Sequence, residues 1–260
     1  MRDNRNYTNY ELEIIDTLHW IITETIKLGF DNDSRDAKKV NFLHENIKTL
    51  LLRYIDLDKY DILLEWKVAG ILEPKDCDIV IINKKYFQTN NGRTLKEVKM
   101  QWKWGDTVII DWVEEIISIK NPISSYKKNA ANYRESMIWE AVNLKGAWIR
   151  YTHFMFLSNT MPVYTGAWND RTLLRMESIG SKEIKILKKL KTVDINGTWL
   201  IDDFVTFLYN IERYDADFEY RSDLVGEDPW ITLFTEDLQD IDFTFYFFDY
   251  LDDFFQRYWE

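Results

Sequence analysis

Apolar residues recur along the chain with two periods, and the places where the period changes mark the elements. Leu12, Ile15, Leu18, Ile22 and Ile26 stand at helical intervals and predict a helix over roughly 10–28. A second stripe, Val40, Leu43, Ile47, Leu50, Leu51 and Tyr54, predicts a helix from about 35 to 54, with Asp33 or Ser34 as its N-cap. The spacing then shortens. Ile62 to Val68, Asp78-Ile79-Val80-Ile81-Ile82 and Glu115-Ile116-Ile117-Ser118-Ile119-Lys120 are short, nearly continuous apolar runs, as buried strands are. The first two flank a turn at Gly70 to Pro74 and read as a hairpin. Between the second and third, Asn90-Asn91-Gly92 precedes Val98 to Trp104 and Val108 to Trp112, which reads as an inserted hairpin. After the polar break Asn121-Pro122 a helical pattern runs from Ser124 or Ser125 to Lys145, and Trp148 to Leu157 is again a strand.

The remainder has a different character. A basic run, Lys182, Lys185, Lys188, Lys189 and Lys191, gives way to an acidic stretch dense in aromatics. There Trp199, Phe204, Phe207, Leu208, Ile211 and Tyr214 suit one helix, and Ile241, Phe245, Phe248, Leu251, Phe255 and Trp259 suit another. Such stripes are packing faces with solvated carboxylates opposite; a DNA-mimicking or partner-docking surface is the second reading. Of the formal charge of −11, residues 194–260 hold 18 Asp and Glu against Arg213, Arg221 and Arg257, a net of −15, which leaves about +4 on residues 1–193. The chain therefore divides into a core with N-terminal helices, 1–193, and an acidic aromatic helical sector, 194–260, packed on the core or at a dimer interface. Because binding depends on the local field, a mildly basic body can bind nucleic acid despite the acidic total.

Composition narrows the classes further. The 260 residues hold ample apolar material for a core, the first six are polar, and no apolar run is long enough to cross a bilayer, so a cytoplasmic protein is expected. A single cysteine, Cys77, excludes an internal disulfide and cysteine-based zinc sites. His19, His44 and His153 show no ligand spacing, so a catalytic metal is expected to have oxygen ligands.

Hydrolysing a phosphodiester with oxygen ligands requires carboxylates to hold Mg²⁺ and a cation near the attacking water and the phosphorus centre. Asp78 and Lys120 supply those two types. Residues two apart on a strand share a face, so Ser118 and Lys120 point together, with the Ile119 carbonyl between them as a further possible ligand. Motif and element order over roughly 36–158 resemble the PD-(D/E)xK, or restriction-endonuclease-like, nuclease superfamily. The resemblance implies an α/β (α+β) fold, a central mixed β-sheet flanked by helices, to which the acidic C-terminal sector is added. It matches Asp78 to the metal-binding Asp and Lys120 to the catalytic Lys. Ser118 stands where the second acid is expected, a departure that some restriction-enzyme branches make good with an acid from the following helix.

Two acids on that helix compete. Glu135 matches better by distance along the chain, whereas Glu140 flanks the stripe Ala130, Tyr133, Met137, Ala141 and Leu144, about 60° from its centre. Both are kept as catalytic and metal candidates. Glu65-Trp66-Lys67 and Glu97-Val98-Lys99 are rival triplets, and the second, with Asp78, satisfies the unmodified family pattern. Glu65 and Glu45 are further candidate acids. The resemblance further implies a Mg²⁺-dependent type II restriction-like endonuclease acting on double-stranded DNA. Lys127, Lys128 and Arg134 would touch phosphates, the enzyme would act as a homodimer, and a cognate DNA methyltransferase would share its host. The alternatives are a catalytically silent interaction protein that uses its acidic surface, and a nuclease of the same fold acting on structured DNA or RNA.

Overall fold

The computed structural model describes residues 7–31, 37–101, 108–121, 126–165, 172–179, 181–195, 198–211, 231–233 and 244–259. Two helices, α1 (Asn9–Asp31) and α2 (Ala37–Leu51), open the chain. A capping box fixes the start of α1: Thr8 N donates to Glu11 Oε2 at 2.8 Å and Glu11 N to Thr8 Oγ1 at 3.2 Å. The expected caps of α2, Asp33 and Ser34, lie outside the described residues. Then follow β1 (Tyr60–Val68), β2 (Lys75–Asn83), β3 (Gln88–Thr89), α3 (Leu95–Gln101), β4 (Ile109–Asp111), β5 (Val113–Lys120), α4 (Tyr126–Lys145) and β6 (Arg150–Ser158). The chain continues with β7 (Thr160–Thr165), β8 (Thr172–Ser178), α5 (Ser181–Lys191), β9 (Asp194–Ile195), β10 (Thr198–Trp199), β11 (Asp203–Ile211), β12 (Ile231–Leu233) and α6 (Thr244–Tyr258).

Eight strands form one mixed sheet in the order β12-β11-β6-β5-β2-β1-β4-β3. The pairs β11–β6, β6–β5 and β1–β4 are parallel and the others antiparallel. Helices cover both faces, so the central strands are apolar on both sides, as their continuous hydrophobic runs foretold. On one face Ile62, Ile79, Ile81, Ile117, Phe154 and Phe207 pack with α1, α2 and α6. On the other, Leu63, Val80, Ile82, Ile116, Met155 and Leu208 pack with α4 and α5. The crossover β5–α4–β6 joins parallel neighbours and lays α4 across the second face. Among the described residues no helix is long and apolar enough to cross a membrane.

Two segments differ from expectation. Val98 to Trp104 was expected as a strand of an inserted hairpin, but 95–101 is the helix α3, because Thr94 and Glu97 close a capping box that starts a helical turn. Residues 199–214 were expected as a helix, yet 203–211 is β11, paired along β6 from Asp203↔Thr152 to Tyr209↔Ser158. With Phe204, Val205, Phe207, Leu208 and Tyr209 all buried, both faces of this strand are apolar, and its aromatics fall at helical spacing by coincidence. The second aromatic stripe is helical, as α6. It is held by the fully buried Glu115 of β5, which accepts from Tyr258 OH at 2.8 Å, Tyr250 OH at 3.1 Å, Arg257 Nη2 at 3.3 Å and Thr152 Oγ1 at 2.6 Å.

Candidate active site

A fault in the pleat builds the site. The β1–β2 ladder pairs Leu64 with Ile79 and Trp66 with Cys77, so Glu65 stands opposite Asp78. Leu63, Trp66 and Val68 all pack on the α4 face, as do Cys77, Val80 and Ile82. Strict alternation cannot do this: both strands change face at the Glu65–Asp78 pair. Glu65 has φ of 56°, a left-handed conformation that costs a non-glycine residue about 1–3 kcal/mol. The β2–β5 ladder runs from Ile82↔Val113 to Ile79↔Ile117. Next to it Ile119 N donates to the Asp78 side chain, at 2.6 Å from Oδ2.

Asp78 thereby meets groups from both layers. Under α4, Ser118 Oγ lies 3.4 Å from its Oδ2, the single hydroxyl proton being shared between Asp78 and Glu140, and Lys120 Nζ lies 3.7 Å from the same oxygen. From the α2 layer the buried His44 places Nδ1 in hydrogen-bond contact with Glu65 Oε1. One ligand atom each from His44, Glu65 and Asp78 all lie within 4.8 Å of one another.

Glu140 descends from α4 into the same cluster, 4% exposed. Its Oε1 accepts from Ser136 Oγ at 3.0 Å and pairs with Lys75 Nζ at 3.1 Å, and its Oε2 accepts from Ser118 Oγ at 3.2 Å and Tyr151 OH at 3.1 Å. Burial pushes its pKa up, but Lys120, Lys75 and the hydrogen bonds outweigh that and hold it below its ordinary value. Lys75 shows the reciprocal effect: burial lowers its pKa, Glu140 more than restores it, and the net is upward. Burial and Glu140 push the Tyr151 phenol well up, so it serves as a donor. Burial, with Lys120 adding to it, takes His153 down to about 3, which leaves the ring neutral beside Ser118. The α4 helix is located by Asn143, whose Oδ1 accepts from Leu72 N at 2.8 Å and whose Nδ2 donates to Glu73 O at 2.9 Å. A Cβ at Gly70 would lie 2.2 Å from that amide, so only glycine permits the approach.

No family model matches the chain, and no curated protein matches it by sequence. In structure it is similar to the cAAA-bound form of NucC from E. coli MS115-1, with 9% identity and a TM-score of 0.44 over 97% of this chain and 92% of that one. A likeness of that strength does not bear on chemistry.

The cluster brings together Asp78, Ser118, Lys120 and Glu140, with Ile119 contributing its N–H to Asp78. Glu135, on the same helix, is exposed, and Arg134 is half-buried. Lys127 and Lys128 fall in the first turn of α4, and their side chains lie outside the described residues. Of the rival triplets, Glu97-Val98-Lys99 is on the helix α3, where Glu97 accepts from Thr94 N and Oγ1, both at 2.7 Å, with its pKa lowered by those bonds. In Glu65-Trp66-Lys67 the acid belongs to the cluster, while Lys67 Nζ lies 3.7 Å from Asp76. Glu45 is exposed on α2 beside His44. His44, set aside in the sequence for want of ligand spacing, joins two carboxylates here, because the fold and not chain spacing brings α2 over the Glu65–Asp78 pair. The expectation of oxygen ligands alone therefore does not hold for this group. Lys75 and Tyr151 were not singled out in the sequence.

Two carboxylates and an imidazole make a donor set that fits a divalent cation, the oxygens suiting Mg²⁺ or Mn²⁺ and the nitrogen favouring the softer of them. Glu140 differs, because each of its oxygens already serves two groups of its own chain. A metal held there would have to displace those donors.

Proposed function

We propose that the protein is a metal-dependent nuclease of the restriction-endonuclease-like kind, hydrolysing phosphodiester bonds of double-stranded DNA. The observation that carries the reading is the convergence of Asp78, Ser118, Lys120 and Glu140 across three separate elements in one hydrogen-bonded cluster. Asp78, Glu65 and His44 would hold a divalent ion, Mg²⁺ or Mn²⁺, with the Ile119 carbonyl as a further ligand. The ion would supply charge neutralisation at the phosphate and a lowered pKa for bound water. Lys120, a quarter exposed with its ammonium 3.7 Å from Asp78, would orient a water and stabilise charge on the phosphorus centre. Glu140 takes the part of the acid missing at Ser118 indirectly. It pairs with Lys75 and shares the Ser118 hydroxyl with Asp78, which places a second lysine beside the cluster. Arg134, with Lys127 and Lys128, would position the DNA backbone without reading sequence.

Type II restriction activity is the form proposed, with a homodimer supplying one site per strand and a host methyltransferase protecting self DNA. The test is plasmid cleavage by the purified chain with Mg²⁺, with Mn²⁺ and with EDTA, alongside Lys120→Ala and Asp78→Asn, at low salt so that phosphate contacts are not screened. Metal-dependent discrete fragments lost in both variants support the reading. Intact plasmid with both metals, with RNA and branched DNA intact too, overturns it, as does cleavage that survives in Lys120→Ala.

A further inference from the structure

The end of α4 departs from the rules of helix termination in a way the candidate active site does not explain. Ile149 N donates to Leu144 O at 3.2 Å and Trp148 N to Lys145 O at 2.9 Å, the paired bonds of a Schellman cap. The cap puts Trp148 in the left-handed position, φ of 63°, where glycine or asparagine ordinarily sits. Trp148 is also 96% exposed. A large aromatic is thus held in an unfavourable backbone conformation and packs against almost nothing of its own chain, so the fold gains neither cap stability nor burial from it.

Beside it is a cavity of about 490 Å³ walled by Val142, Trp148, Ile149, Trp199 and Leu200, with Lys145, Arg150 and Asp202 at its edge. Trp199 is 52% exposed, and the exposed Ile71 and Leu72 extend the apolar surface, Ile71 lying against Gly146. The cations are already paired within the chain, Lys145 Nζ with Asp202 at 2.5 Å and Arg150 Nη2 with Asp203 at 2.6 Å. Among the described residues lining this cavity no positive charge is left uncompensated, which argues against nucleic acid. A small ligand is poorly served by a wall that its own chain does not hold in place.

We infer that this face docks a second copy of the chain, the Trp148 indole of each copy entering the cavity of the other. A protruding knob and an apolar hollow on one surface are what a two-fold, self-complementary interface requires. The internal ion pairs make the face locally neutral on a chain of net charge −11, so two copies can approach here without the repulsion expected over the acidic surface. The two indoles offer on the order of 300 Å² per copy. Stable interfaces bury about 800 Å² per partner, and Ile71, Leu72, Val142 and the polar rim supply the remainder. The inference gives the dimer of the proposed function a surface; it does not depend on the nuclease chemistry.

Sedimentation equilibrium of the wild type, Trp148→Gly and Trp199→Ala tests it, with far-UV circular dichroism as the check on folding. Glycine suits the left-handed cap, so Trp148→Gly removes the knob without loading the helix end. Trp199→Ala trims the opposite wall without touching the cap. The wild type is expected at twice the 31.4 kDa of the chain, and Trp148→Gly as a folded monomer, with association weakened by at least about 100-fold. Trp199→Ala is expected to weaken it in the same direction. A monomeric wild type, or variants that dimerise as the wild type does, overturns the inference. So does a Trp148→Gly protein that sediments like the wild type but has lost DNA binding. Because sedimentation is read without substrate or metal, failure here is distinct from failure to cleave DNA.

Discussion

Replacing Glu140 by glutamine tests the architecture of the site independently of any activity. The carboxylate is buried, its four neighbours are donors at 3.0–3.2 Å, and one of them, Lys75, is a charge. The amide keeps one accepting oxygen but carries no charge, so the variant leaves the Lys75 ammonium without its counter-charge and one side of the cluster without an acceptor. Removing one member of a buried pair costs about 3–5 kcal/mol. Lys75 keeps 32% of its side chain exposed, which screens the charge and brings the expected loss to about 2–3 kcal/mol. For a chain of this size that is a fall in Tm of roughly 5–10 °C. Urea unfolding in EDTA measures it, together with Lys75→Met and the double variant. The double variant should be more stable than the sum of the two losses implies, with a coupling of about 1 kcal/mol or more. The pH dependence carries the same information. The folded pKa of Glu140 is depressed, so its contribution is fully present above the unfolded value, about 4.3, and is lost as pH falls through the lower folded value. Glu140→Gln should lack that part of the acid limb. Additive losses across the cycle, or an unchanged acid limb, would refute the assignment of Glu140 as the anchor of Lys75.

Four further outcomes follow from the same packing. Glu115→Gln should cost about 3–5 kcal/mol in urea unfolding and speed amide exchange in α6 first, because Arg257, Tyr250 and Tyr258 lose the charge that holds them. Asn143→Leu leaves Leu72 N and Glu73 O without their side-chain partner and should cost about 2–4 kcal/mol in the same assay. Burial raises the Cys77 thiol, so its reaction with a disulfide reagent at pH 8 should be slow in the native protein and rapid in urea. The His153 ring should show no titration by NMR between pH 5 and 8 and should take up its proton only near pH 3. Its depressed pKa makes it stabilising above about 6.5 and progressively less so as pH falls, a slope that His153→Phe should remove.

What the sequence discloses about the fold follows from which interactions are local. The stripes of α1, α2, α4 and α6 are faces laid down by residues three and four apart, and the strands β1, β2, β5 and β6 are short apolar runs bounded by turns; both are visible in any window. The segment 203–211 was misread because its environment is set at a distance. Its partner β6 lies some fifty residues earlier, and only once both faces are covered does a run of Phe, Val, Leu and Tyr become a strand. The helix α3 was legible in principle, since Thr94-x-x-Glu97 before Val98 is a capping-box signature. The hairpin β7–β8 had no such local mark beyond its alternation of Met161 and Val163 with other residues.

The site divides in the same way, and the division has a physical cause. Asp78, Ser118 and Lys120 stand at fixed offsets within apolar runs, and the helical wheel turns Glu140 rather than Glu135 toward the sheet, so the proximity of these four was legible in the sequence. His44 and Lys75, and the part played by Glu65, which the sequence offered only as a further candidate acid, depend on the reversal at the Glu65–Asp78 pair. With strict alternation, a carboxylate on a covered sheet faces one layer only. Here both strands change face together, so Asp78 reaches Ser118 and Lys120 under α4 while remaining within ligand distance of Glu65 and of His44 from α2. A pattern that assumes a period of two cannot register such a fault, yet the fault is what allows one aspartate to join a metal-holding set to a lysine-bearing one. The left-handed backbone of Glu65 is the cost of that junction. Glycine at position 65 should relieve the backbone and remove the ligand, and asparagine should relieve part of the strain while keeping an oxygen. Stability should therefore rise, and divalent-ion affinity fall, most in the glycine variant. A Glu65→Gly protein that loses stability in EDTA would mean that the strand reversal is held by Glu65 itself rather than by the strands around it.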